Sequence, residues 1–123
     1  MLASAFVSAG HEVRLVTQTA RGDCDDAQFP FRVLRQPSGA ALKAQLKWCE
    51  VYWQNNVSLP TLLPAIRLDV PSIVTAQTWL MRTDGRIGLR DMLKKLVLRR
   101  VYNVAISKAI AAHLPGKPIV IGN

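Results

Sequence analysis

At 123 residues the chain has the length of one domain, and half of it is hydrophobic, enough to bury a core. Its mean hydropathy of +0.14 is high for a domain of this size. No apolar run approaches the roughly 18 residues of a spanning helix, so composition excludes one and points to buried strands. Sixteen Lys and Arg against eight Asp and Glu give a net charge of +8, which indicates an anionic partner: membrane lipid, nucleic acid or a phosphate-bearing substrate.

Met1–Ala9 is rich in small apolar residues and reads as a helix ended by Gly10 as a C-terminal cap. It lacks a basic leader and a cleavage site, so a signal peptide is not expected. Val13–Thr17 reads as a strand, Gln18–Gln28 as a polar loop, and Phe31–Leu34 as a short strand between Pro30 and Pro37-Ser38-Gly39. Ala40–Glu50 fits a helix whose apolar face holds Leu42, Leu46 and Cys49, or Gln45 and Trp48 on the adjacent stripe. Cys24 and Cys49 fit no metal or redox spacing and read as reduced thiols of a cytosolic protein.

Val51–Gln54 is an aromatic strand with three amides at its carboxyl end, Gln54, Asn55 and Asn56. Amides offer donors and acceptors to sugar hydroxyls; equally, they cap a turn or the next helix. Leu59–Leu68 is helical, with Pro60 in its opening turn. Pro71–Ala76 is a strand leading to Gln77, Thr78 and Trp79, the last suited to stacking on a sugar or to anchoring a core.

Arg82–Tyr102 reads as one helix, with Leu89, Met92, Leu93, Leu96, Val97 and Val101 as its apolar stripe. Arg82, Arg86, Arg90 and Lys94 recur every four residues, with Lys95 beside them, as a basic band on the exposed side. Such a band docks to an anionic membrane surface at about 1 kcal/mol per residue near the lipid, or is merely solvated. No aromatics alternate with the basic residues and no nucleic-acid motif is present, which argues against a nucleic-acid partner.

Val104–Ile106 reads as a buried strand with a polar stop at Ser107-Lys108, followed by a short helix through Leu114 and a second buried strand, Ile119–Ile121; together they form a βαβ unit with parallel strands. His11 and His113 sit at helix ends and read as structural. No metal-ligand cluster, nucleophile–base pair, G-x-G-x-x-G or Walker pattern appears. The residues therefore specify a Rossmann-like α/β domain over 1–123, with a mostly parallel sheet, helices on both faces and polar strand ends where ligands bind in such sheets.

Two stretches, "SAGHEVRLVT" and "VAISKAIAAHLP…KPIVIGN", resemble the N-terminal, acceptor-side domain of retaining nucleotide-sugar glycosyltransferases of the GT-B fold. The segment Pro71–Gln77 resembles that family's P-x-V-x-T-x-H, with Gln77 where the cleft histidine stands. Gln can hydrogen-bond a sugar but cannot titrate, so only a binding role carries over. The resemblance implies a first strand and glycine-rich loop before Met1 and a donor-binding domain after Asn123; the domain here lacks both. Without that first strand, Val13–Thr17 and Val51–Gln54 are expected to close on each other or to take a strand from a second copy in a homodimer.

The implied activity is transfer of a sugar from a nucleotide-sugar donor to a polar or lipid-linked acceptor. The donor is held by the other domain, so the chain alone is expected to be inactive and to need no cofactor. The acceptor-site candidates are Gln54, Asn55, Asn56, Gln77, Thr78 and Ser107, with no catalytic residue among them. The implied location is cytoplasmic, peripheral on the inner membrane face. A second reading is a non-enzymatic Rossmann-like module that engages an anionic partner through its basic face.

Overall fold

The computed structural model of the chain describes residues 2–78 and 88–122. It is an α/β protein with two parallel sheets rather than one continuous sheet. It divides into two compact units, Met1–Leu42 and Lys43–Asn123.

The first unit opens with helix α1, Leu2–Ser8. Gly10 ends it at φ +92°, and His11 N–H returns to the Phe6 carbonyl at 3.0 Å, the closure that a left-handed glycine permits. Strands β1, Arg14–Thr17, and β2, Arg32–Arg35, pair in parallel from Arg14 beside Arg32 to Thr17 beside Arg35. The loop between them is tied down by Arg35. Its guanidinium donates to both Asp26 carboxylate oxygens, at 2.7 and 2.9 Å, and to the carbonyls of Thr19 and Ala20. Phe31 is buried and stacks on Phe29 with ring centres 5.3 Å apart.

Helix α2, Gly39–Trp48, spans the boundary between the units. The second unit holds strands β3 (Tyr52–Asn55), β4 (Ser72–Ala76), β5 (Tyr102–Ala105) and β6 (Ile119–Val120), all parallel and in chain order across the sheet. Between them run helices α3 (Leu59–Arg67), α4 (Leu89–Leu98) and α5 (Lys108–Ala111). Every crossover moves one strand in the same direction, and right-handed crossovers of that kind bring successive helices to one face. The packing agrees. Leu59 and Leu62 of α3, Val97 and Leu98 of α4, and Ile110 of α5 share one core with Val74, Ala76 and Ala105. Burial of side chains such as Leu62, Leu98 and Val74 contributes roughly 1.5–3 kcal/mol each.

The predicted helix from Arg82 to Tyr102 is corrected at its end. Helix α4 stops at Leu98, and Tyr102 already belongs to β5. The reason is Asn103, whose buried Nδ2 donates to the Leu98 carbonyl at 2.8 Å and closes the helix terminus. The start of that prediction is corrected too: Gly88 is extended, at φ −78° and ψ 165°, so α4 begins at Leu89, while Arg82, Arg86 and Trp79 lie outside the described residues. The expected closing of Val13–Thr17 onto Val51–Gln54 is also corrected: β1 pairs with β2 and β3 with β4, in separate sheets.

Candidate functional site

Parallel register aligns the carboxyl ends of β3, β4 and β5. Asn55 stands beside Thr75, and Ala76 beside Ala105, so the residues that follow each strand emerge along one rim. Asn56 and Gln77 directly follow β3 and β4, and Ser107 stands two residues after β5.

Gln54 lies one residue inside the rim and points to the helix-covered face, the same face as Tyr52 and Val74. It is only 6 % exposed. Its Nε2 donates to the carbonyls of Asn56 at 2.8 Å and Ser58 at 3.2 Å. Its Oε1 accepts from the Tyr52 hydroxyl at 3.2 Å and from Thr61 Oγ1 at 3.1 Å. Both donors and both lone pairs are thereby used inside the domain. Gln54 works as a clasp that joins β3, the loop after it and the first turn of α3. Burial pushes the Tyr52 hydroxyl above its ordinary value, with Thr61 opposing.

Asn56 adopts φ +58°, a left-handed conformation that Asn tolerates better than most residues. Its backbone N–H bonds the Thr75 carbonyl at 2.8 Å, and its Oδ1 accepts from the Gln77 backbone N–H at 2.9 Å. The loops after β3 and β4 are thus locked together. Asn55, Gln77 and Thr78 are exposed on this rim.

Ser107 is half-buried and serves as the N-cap of α5, its Oγ accepting from Ile110 N–H at 3.3 Å. The chain after β6 crosses directly over the end of β5. Ile121 N–H bonds the Ala105 carbonyl at 2.9 Å, and a Cβ at Gly122 would collide with the Ile106 carbonyl oxygen and stand 3.3 Å from Ser107 Cα. Only glycine fits that crossing.

On the opposite face of the sheet Trp53 Nε1 donates to Thr75 Oγ1 at 2.8 Å. That bond and the Gln54–Thr61 contact escaped the sequence, because a run of aromatics hides which member of each pair faces inward.

Each unit carries one cavity at the amino ends of its strands. One of about 370 Å³ is lined by His11, Arg14, Phe31 and Arg32, at the amino ends of β1 and β2. Another of about 290 Å³ is lined by Arg99, Tyr102, Asn103 and Lys117, at the amino ends of β5 and β6. Asn103 Oδ1 is buried there with no hydrogen-bond partner among the described residues.

The basic band divides. Arg90 is exposed, whereas Lys94 and Lys95 are half-buried. The apolar stripe assigned to the core is corrected. Leu89, Met92, Leu93 and Leu96 are exposed to 86, 60, 38 and 59 %; of the expected stripe only Val97 enters the core and Val101 packs against it, joined by Leu98. Both cysteines are free thiols, and burial raises the Cys49 thiol above its ordinary value. Among the described residues no group of three His, Cys, Asp or Glu could hold a metal ion, and no helix is long and apolar enough to cross a membrane.

In comparisons with known proteins, no protein-family model matches the chain, and neither a curated protein nor a solved structure matches it significantly.

Proposed function

We propose that this chain is the acceptor-side domain of a retaining glycosyltransferase, in which a sugar passes from a nucleotide-sugar donor to a polar or lipid-linked acceptor. The supporting observation is the register that gathers Asn55, Asn56, Gln77, Thr78 and Ser107 at the carboxyl ends of three parallel strands, the edge at which α/β sheets receive ligands. Within that reading Asn55, Gln77 and Thr78 meet acceptor hydroxyls, while Gln54, Asn56 and Ser107 hold the backbone that presents them. Gln77 binds through its amide and takes no part in proton transfer. In that reading the donor and the acidic groups of catalysis belong to a second domain.

The test is titration of the isotopically labelled chain with a panel of methyl glycosides, followed by amide NMR. Saturable shifts at Asn55, Gln77 and Thr78, lost in Gln77→Ala without change elsewhere, support the acceptor role. Shifts confined to the amino-end cavities, or none at millimolar glycoside, remove it.

The second reading, a non-enzymatic module that engages an anionic partner, is favoured by the cavity lined by Arg99 and Lys117 at the amino ends of β5 and β6, the opposite end of that sheet from the rim. The same titration separates the two, since the module leaves every rim amide unmoved.

A further inference from the structure

Helix α4 is amphipathic in the wrong sense for a helix that only packs on a sheet. At 100° per residue, Leu89, Met92, Leu93 and Leu96 fall in an arc of about 100°. That arc is centred opposite Asp91 and Leu98, two of the three residues the helix buries; the third, Val97, lies about 90° from its centre. A stripe of four large apolar side chains therefore points straight away from the core, with Leu89 86 % exposed. Arg90 flanks it on one side, Lys95 and Arg99 on the other; Lys94 is half-buried and lies nearer the buried side. The single acid of the helix, Asp91, is buried and accepts from the Gly88 N–H at 3.2 Å, so it offsets none of that charge at the surface.

We propose that α4 docks the protein on an anionic phospholipid bilayer, lying in the interface plane with Leu89, Met92, Leu93 and Leu96 in the acyl boundary and the flanking cations at the headgroups. Apolar stripe and cationic borders together match that layered chemistry: a hydrocarbon region beneath a sheet of negative charge. A second copy of the chain fits poorly. Pairing two such stripes would set cation against cation, and a helix of 10 residues falls short of the 20–30 residues a side that stable interfaces use. The inference goes beyond the acceptor reading and stands whether or not the rim binds a sugar.

The docking is by insertion, not only by surface charge, and this sets the experiment. The full chain is sedimented with vesicles of phosphatidylcholine containing phosphatidylglycerol, and with phosphatidylcholine alone, at low and high salt. Each leucine that leaves water is worth roughly tenfold in partitioning. The exposed pair Leu93→Ser/Leu96→Ser, with circular dichroism unchanged, is expected to lower partitioning by about 30-fold or more. Arg90→Glu/Arg99→Glu is expected to remove the preference for the anionic vesicles. A Leu93→Trp variant is expected to be quenched by brominated acyl chains, and to stay quenched at high salt.

Failure to bind anionic vesicles overturns the proposal. So does partitioning unchanged by the serine pair, or binding that salt abolishes without quenching. A wild-type dimer that the serine pair converts to monomer assigns the stripe to a second copy and overturns it as well.

Discussion

Gln54 sets how far its rim can be altered. Its amide makes four hydrogen bonds in a site 6 % exposed, and a buried group left unpaired costs about 1–3 kcal/mol. Gln54→Ala is therefore expected to lower unfolding free energy by about 2–3 kcal/mol in urea melts. Gln54→Glu is the sharper variant. It removes both donors and sets a carboxylate against the carbonyls of Asn56 and Ser58, so near neutral pH it should be less stable than Gln54→Ala. Burial and those carbonyls raise the new carboxyl's pKa, so stability returns as pH falls toward the ordinary value near 4.3. A Glu variant whose deficit does not shrink on acidification would show that the clasp is not made by the amide. Asp26 behaves oppositely. The Arg35 hydrogen bonds hold its carboxyl below the ordinary 3.8. Its contribution is present above that value and lost as pH falls through the lowered one, so the loop from Gln18 to Gln28 should loosen first in acid. Arg35→Met is expected to abolish that acid step in amide spectra while leaving the second unit unchanged.

At the scale of the element, α4 shows both what could be read in the sequence and what could not. Its existence was legible from spacing. Its orientation was not, because the helix carries two apolar stripes. One runs through Leu89, Met92, Leu93 and Leu96; the other holds Val97 and Leu98, with Val101 just past the helix end, although the spacing places Val97 and Val101 on the first. A period near 3.6 identifies each stripe but says nothing about which one meets the sheet. Burial decides: Val97 and Leu98 enter the core, and Asn103 closes the helix at Leu98. The same limit applied at β3. The amides after Trp53 marked a strand end, but period-2 alternation was hidden in the run Val51–Gln54, so Gln54 read as a ligand when its amide faces the core. By contrast the βαβ close of the chain was legible from two β-branched runs bounded by Ser107 and Gly116, but the burial expected of the second run is corrected: β6 is the sheet's edge strand, and Ile119, Val120 and Ile121 are exposed. The assignment of faces is testable by truncation. Leu98→Ala, at a site with no exposure, should cost about 2–4 kcal/mol. Leu96→Ala, on the outward stripe, should fall within about 0.5 kcal/mol of wild type. Equal losses in denaturant melts would put both stripes in a core.

At the scale of the whole molecule the two units differ in how much they bury. In Met1–Leu42 the described hydrophobic side chains that reach full burial are Phe31 and Leu42, and α1 buries none. In Lys43–Asn123 nine buried residues form one cluster against three strands and three helices. Hydrophobic burial is the main favourable term, so local stability should follow it. Native-state hydrogen exchange is expected to show β1 and β2 opening at a free energy about 2 kcal/mol or more below that of β4 and β5. The division also predicts that the second unit keeps its structure alone. A chain of residues 38–123 retains Ser38, whose Oγ caps α2 by accepting from Ala41 N–H at 3.1 Å, together with every residue of the nine-member cluster. Its amides in β4 and β5 should keep the protection they have in the full chain. If removal of residues 1–37 instead collapses protection across β3–β5, the cluster depends on the first unit, and the division by burial fails as an account of stability.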